Sequence, residues 1–192
     1  MIIGLTGGSG TGKSTACRFF KDNGFVIIDC DEVYKNLCQK GTPCLDEISQ
    51  TFGTGVLNED LSLNRTELSK IVFSDSEKLK TLNSITHKYI IDKIKEIILE
   101  NREKDIVIDA PVLFEAGVDN ICDLTVCILA DRERRIERIM QRDNKSYADA
   151  KRRIDSQQDD EFYLSKCNIA VYNNMGEDAL FSSLKKELDK YV

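Results

Sequence analysis

The sequence predicts an α/β protein, a three-layer sandwich built on a five-stranded parallel sheet. Five short runs, Ile2–Thr6, Phe25–Asp29, Asp105–Ala110, Leu124–Leu129 and Asn168–Tyr172, are rich in Val and Ile and bounded by Gly, Asp or Asn. Continuous apolar runs of that length are typical of strands buried on both faces, as in a parallel sheet. Helix-like segments separate the runs, and strand–helix alternation implies a doubly wound layer structure.

The elements follow in order. Ile2–Thr6 leads into a Gly-rich stretch and then a helix over Thr15–Asp22. The second run ends in acidic residues. After it, Glu32 to Lys104 is longer than a crossover helix needs and reads as several helices. The longest lies near Ser76–Glu100, where Ile85, Ile90, Ile91, Ile94, Ile97 and Ile98 fall roughly on one face. The third strand precedes Pro111, and the fourth precedes an arginine-rich helix. A second excursion, Arg142 to Lys166, is dense in Arg, Lys, Asp and Gln and poor in large apolar residues, the composition of a mobile flap. The expected organisation is one domain, residues 1–192, with a mostly helical insertion over 32–104 and a lid over 142–166.

A chain of 192 residues can bury about 70% of its unfolded surface. Its net charge of −6 argues against general nucleic-acid binding, which rests on cations neutralising phosphates. Seven cysteines, an odd number with no C-x-x-C pair, read as small buried residues in a reducing compartment rather than zinc ligands. The sequence shows no signal-peptide pattern, and no apolar run reaches the ~18 residues of a membrane span. The expectation is a soluble cytoplasmic protein with no membrane association.

Gly7-Gly8-Ser9-Gly10-Thr11-Gly12-Lys13-Ser14 matches G-x-x-x-x-G-K-[ST] in full, between a strand and a helix. Glycines let successive backbone N–H groups converge on phosphate oxygens, and the following helix adds its positive end. Residues Gly8 to Thr15 are therefore expected to bind ATP. Lys13 is expected to bridge the β- and γ-phosphates, and the Ser14 hydroxyl to ligate Mg²⁺. A guanine-reading N-K-x-D is missing, because Asn144-Lys145-Ser146-Tyr147 lacks the Asp. The pattern favours a P-loop kinase-type fold and transfer of the ATP γ-phosphoryl group to a small hydroxyl-bearing metabolite. Another metabolite kinase or a nonenzymatic ATP-binding regulator would share these features.

Phosphoryl transfer needs a group that orients the acceptor hydroxyl and takes its proton. Asp31, at the carboxyl end of the second strand, is the candidate base. Asp29 reads as a loop orienter, a partner of metal-bound water or a helix cap. Ile106-Val107-Ile108-Asp109 resembles a Walker B strand, and Asp109 is a candidate Mg²⁺ ligand, direct or through water. Pro111 can shape a pocket wall. Val112 and Leu113 fit core packing better, and Glu115 reads equally as a cap or a site residue. Arg138 and Arg142, four apart, share a helix face. They are expected to reach the phosphates or stack on adenine, helped from the flap by Arg153. Arg134 and Arg135 read as a solvated face.

The order of these motifs resembles the dephospho-CoA kinase family from Met1 to about Asn174. The family's opening appears as Leu5-Thr6-Gly7-Gly8-Ser9-Gly10-Thr11-Gly12-Lys13-Ser14, and its D-A-D as Asp29-Cys30-Asp31. Gly41-Thr42-Pro43, then Arg65, Leu68 and Phe73, and Pro111-Val112-Leu113-Phe114-Glu115 match further motifs. So do Arg138 with Arg142-Asp143, and Arg153-Ile154-Asp155-Ser156-Gln157. The chain departs at Cys30, at Lys88 where the family has Pro, and across Ala170 to Gly176, where Asn173 keeps its place. The resemblance implies Mg²⁺-dependent phosphorylation of the ribose 3′-hydroxyl of dephospho-CoA by ATP. It implies Asp31 as base, with Lys13 and Arg142 catalytic. Arg138, Arg142 and Asn173 fall on the ATP side. Arg65, His87, Pro111 and Leu113 fall on the acceptor side, and the helical insertion holds that acceptor.

Overall fold

In a computed structural model that describes residues 1–191, the five apolar runs form β1 (Ile2–Thr6), β2 (Val26–Asp29), β3 (Ile106–Asp109), β4 (Leu124–Leu129) and β5 (Ile169–Tyr172). They make one parallel sheet in the order β2-β3-β1-β4-β5. β1 pairs with β3 (Ile3 opposite Val107) and with β4 (Leu5 opposite Val126), and β4 pairs with β5 (Ile128 opposite Val171). β2, β3 and β5 are each shorter than the expected runs, and two of the residues at their ends hold side-chain bonds. The Asp105 carboxylate accepts from the amino terminus at 2.6 Å, and the Asn168 side chain accepts from the Thr125 N–H and hydroxyl at 2.8 Å each.

The helices among the described residues are α1 (Lys13–Asp22), α2 (Cys30–Leu37), α3 (Pro43–Phe52), α4 (Arg65–Phe73), α5 (Ser76–Glu100), α6 (Arg132–Asp143), α7 (Tyr147–Asp155), α8 (Asp160–Lys166) and α9 (Glu177–Leu188). None is long and apolar enough to cross a membrane. The chain divides into two compact units. One comprises Met1–Ile27 and Asn101–Val192, the other Ile28–Glu100, and the division falls inside β2.

In the first unit the strand period of two sorts side chains between the two sheet faces. Leu124, Val126 and Ile128 of β4 join a core with Phe19 and Phe20 of α1 and Leu180, Leu184 and Leu188 of α9. Cys127 and Leu129, the alternate residues, pack instead with Tyr163 of α8 and with Phe114 and Phe162. Each large apolar side chain fully buried this way contributes about 1.5–3 kcal/mol relative to exposure. Burial on both faces holds for β1 and β4. Edge strands β2 and β5 leave Asp29 and Tyr172 exposed.

The second unit is helical. Thr42 caps α3 by accepting from Leu45 N–H at 3.3 Å, with Pro43 at the first helical position, where its missing donor costs nothing. Asn64 caps α4 through Glu67 N–H at 3.1 Å. The core gathers Cys44 and Ile48 of α3, Leu68 and Val72 of α4, and Leu82 and Ile85 of α5, together with Cys38 and Val56. The expected isoleucine stripe of α5 is narrower than its spacing implies. Ile85, Ile90 and Ile94 are buried, whereas Ile91, Ile97 and Ile98 are only half-buried. Four of the seven cysteines are buried and three half-buried, with no disulfide among the described residues.

Candidate active site

The loop from Gly7 to Ser14 leaves the carboxyl end of β1 and enters α1. Gly12 immediately precedes α1 at φ 99°, a left-handed conformation that favours glycine, and a Cβ there would collide with the Asn173 carboxamide. Inside the loop the buried Thr11 hydroxyl donates to Gly8 O at 2.9 Å, closing the turn. Lys13 forms an ion pair with Asp109 at the end of β3, and the Cys17 thiol donates to the other Asp109 oxygen at 3.2 Å. Ser14 is exposed and Thr15 half-buried in the first turn of α1.

α6 holds the loop from a second side. Arg138 Nη1 donates to Gly10 O at 3.1 Å and Thr11 O at 3.3 Å, and its Nη2 donates to Asn173 O at 2.8 Å. Asn173 sits just past β5 and donates its side-chain amide to Thr11 O at 2.9 Å. Its Oδ1 is buried and lacks a hydrogen-bond donor among the described residues. Arg135 donates Nε to Ser9 O at 3.0 Å and is 5% exposed. Burial lowers the pKa of Arg135 and Arg138, but a guanidinium stays protonated at any ordinary pH, so both remain cations beside the loop.

Arg142 behaves differently. It is exposed and grips Asp143 with both arms, at 2.7 and 2.8 Å. That pairing raises the Arg142 pKa and lowers that of Asp143. Arg153 of α7 donates to Asp143 at 2.8 Å and to the Ser9 hydroxyl at 3.0 Å, so Arg142 is linked to the loop through these two residues. Gln157, between α7 and α8, accepts from Ser9 N–H at 2.8 Å and donates to its hydroxyl at 3.0 Å. The polar excursion is therefore two capped helices in contact with the loop.

Beyond β3, Pro111 is half-buried and its carbonyl accepts from the Thr6 hydroxyl at 3.4 Å. Leu113 is wholly buried, close enough that a Cβ on Gly4 would touch it at 3.0 Å, which follows the core-packing reading. Glu115 lies in a turn, capping no helix, and accepts from Gln158 at 3.4 Å.

In the helical unit Asp29 is the N-cap of α2, accepting from Asp31 N–H at 2.9 Å and Glu32 N–H at 3.1 Å. Asp31 is exposed in the first turn. Arg65 lies over the Tyr34 ring, 5.4 Å from its centroid. Burial, reinforced by the neighbouring Cys38, pushes the Tyr34 phenol up to about 12. A hydrogen bond from Cys44 brings the Cys38 thiol down to about 7 against the effect of burial. His87 is half-buried on α5.

The structure thus gathers Gly8 to Thr15, Asp109, Arg138 and Asn173 around one loop, while Asp31, Arg65 and His87 belong to the other unit. The expectation of a solvated Arg135 is corrected: it is buried against Ser9. It lies three residues before Arg138 and seven before Arg142, spacings that place it on their helix face. Gln157 carried no such signal apart from its place in a motif.

The dephospho-CoA kinase family model matches residues 1–178. A dephospho-CoA kinase from Fusobacterium nucleatum is 36% identical, over 97% of this chain and 96% of the relative. Among solved structures, a dephospho-CoA kinase from Campylobacter jejuni is 28% identical with a TM-score of 0.70, covering 99% of this chain and 96% of its own. A Thermus thermophilus protein shares the fold more closely, with a TM-score of 0.87 at 24% identity over 100% and 97% of the two chains.

Proposed function

The chain belongs to the dephospho-CoA kinase family, and from that premise we propose that it transfers the γ-phosphoryl group of ATP to the ribose 3′-hydroxyl of dephospho-CoA, giving CoA and ADP. The observation that carries the reading is the loop itself, a backbone cradle with Lys13, Arg135 and Arg138 converging on it. A nucleoside or nucleotide kinase would share that cradle, but the matched family and relatives do not favour it.

The loop amides from Gly8 to Thr15 bind the polyphosphate, and Lys13 exchanges its Asp109 partner for β- and γ-phosphate oxygens. Arg138, Arg142 and Asn173 hold the nucleotide. For Arg142 this means trading one charge-assisted pair, with Asp143, for another. The Ser14 hydroxyl and Asp109 carboxylate are hard oxygen donors, and no group of three or more metal-ligating side chains exists among the described residues. That donor set fits Mg²⁺, which completes its shell with waters and substrate phosphates and would there neutralise charge on the phosphate oxygens.

Asp31 takes the proton of the acceptor hydroxyl as its oxygen bonds phosphorus, and the electron pair of the broken bond leaves with ADP. The capping role of Asp29 supports this assignment, because its carboxylate is committed to the Asp31 and Glu32 N–H groups, while Asp31 sits exposed in the first turn of α2. The insertion over 32–104 receives the acceptor through Arg65 and His87. Pro111 forms a wall that Leu113 supports, and residues 142–166 act as the lid. Cysteines that form no disulfide among the described residues fit a reducing cytosol.

A coupled ADP-release assay with dephospho-CoA, with and without Mg²⁺, tests the assignment. Transfer to a nucleoside but not to dephospho-CoA refutes it. Asp31→Asn is expected to lower kcat by roughly 10²–10⁴-fold, the usual contribution of a general base, with ATP binding intact. Near-normal turnover of that variant would remove Asp31 from the mechanism.

A further inference from the structure

Ser9, the third residue of the loop, is held by a side chain 148 positions downstream. Its N–H donates to Gln157 Oε1 at 2.8 Å, and Arg135 Nη2 donates to the same oxygen at 3.2 Å. Gln157 Nε2 completes the grip on the Ser9 hydroxyl at 3.0 Å. A loop amide and a buried guanidinium converging on one oxygen form the donor set that binds a phosphate oxygen. Here that oxygen belongs to a neutral carboxamide.

We propose that Gln157 is a phosphate mimic, a latch that ties the α7–α8 junction to the loop until the nucleotide's polyphosphate displaces it. The inference rests on the reading of Gly7 to Ser14 as a nucleotide cradle. It adds a positioning residue that competes with the nucleotide rather than contacting the reacting atoms. Hydrogen bonds to an ionised acceptor are about twice as strong as those to a neutral one, so a phosphate oxygen wins the same donors from the amide. Until then the latch keeps Ser9 N–H and the Arg135 fork satisfied, where leaving buried donors unpaired would destabilise the loop. Gln157 also lines a cavity of about 370 Å³ with Arg132, Arg135, Ile154 and Asp160, which gives the side chain room to withdraw. Its release frees the chain between α7 and α8 from the loop, so nucleotide arrival and lid movement become one event.

Two substitutions with opposite expected signs test the latch, with ATP and inorganic pyrophosphate as probes in calorimetric titration. Gln157→Ala removes the competitor, and the Kd for each probe is expected to fall roughly three- to tenfold, the scale of one net hydrogen bond. Gln157→Glu offers Arg135 and Ser9 N–H an anionic acceptor, and the Kd is expected to rise by a similar factor. A side chain that merely supports the fold would weaken binding in both variants. Unchanged or weaker binding by Gln157→Ala, or wild-type affinity in Gln157→Glu, overturns the latch. Lys13→Ala separates the two failures. If the wild-type protein shows no Lys13-dependent binding of either probe, cradle and latch fall together. If it shows such binding and the Gln157 variants leave it unmoved, the latch alone falls.

Discussion

Arg135 and Arg142 stand on the same helix seven residues apart, yet the first is buried against Ser9 and the second is exposed on Asp143. Residue type and spacing placed Arg142 near the phosphate loop and Arg135 on a solvated face. Which of them the loop would bury depends on where α6 lands against it, a tertiary fact that helical spacing does not contain. Lys13 and Ser14 were legible because their motif specifies its own backbone. Asp29 was legible only as one of several roles, since a carboxylate after a strand can cap or catalyse, and the bonds to Asp31 and Glu32 N–H decide for the cap. Cysteines were the least legible. Cys38 and Cys44 are six apart in sequence with a break between two helices, and their hydrogen bond moves the Cys38 thiol down to about 7. Cys44→Ala removes the donor and leaves burial in place, so the Cys38 midpoint is expected to rise, read by thiolate absorbance during a pH titration. A depressed thiol pKa adds stability as pH climbs from about 7 towards the ordinary thiol value of 9.0, and that contribution is lost as pH falls through about 7. The raised Cys44 and Tyr34 values act the opposite way in more alkaline solution.

Among elements, α5 was readable to its ends because 25 residues repeat one pattern. The excursion after α6 was not. α7 and α8 have nine and seven residues and bury few large side chains, so periodicity has little to register. Ala150 and Ile154 nevertheless pack with Ile136 and Ile139 of α6, and polar caps start both helices. Ser146 accepts from Asp149 N–H at 3.1 Å at the start of α7. Ser146→Ala is expected to cost about 1 kcal/mol, the usual value of such a cap. Because α7 carries Arg153 to Ser9, hydrogen exchange in α7 and the loop should speed up together in that variant. Faster exchange in α7 with an unchanged loop would show that the two are independent.

At the scale of the molecule, the alternating pattern anticipated the sheet, and the long segment between β2 and β3 lies within the helical unit. The sheet order was not legible, because strand runs of similar composition do not state their neighbours. If the first unit alone binds nucleotide, ATP at 100 times its Kd stabilises that unit by about 2.7 kcal/mol. A thermal melt should show this shift undiminished in Asp31→Asn and abolished in Lys13→Ala. Equal loss in both variants would mean that nucleotide binding depends on the helical unit as well. Ile2 pairs with Ile106 and Leu5 with Val126, so the strand that bears the cradle is synthesised first and acquires its neighbours about a hundred residues later. During translation β1 waits, an apolar segment without a partner, while the contiguous helices of 28–100 emerge and can already collapse on themselves. Assembly of the sheet is therefore a late, long-range step, and the emerging chain is most prone to aggregation in the interval before β3 leaves the ribosome.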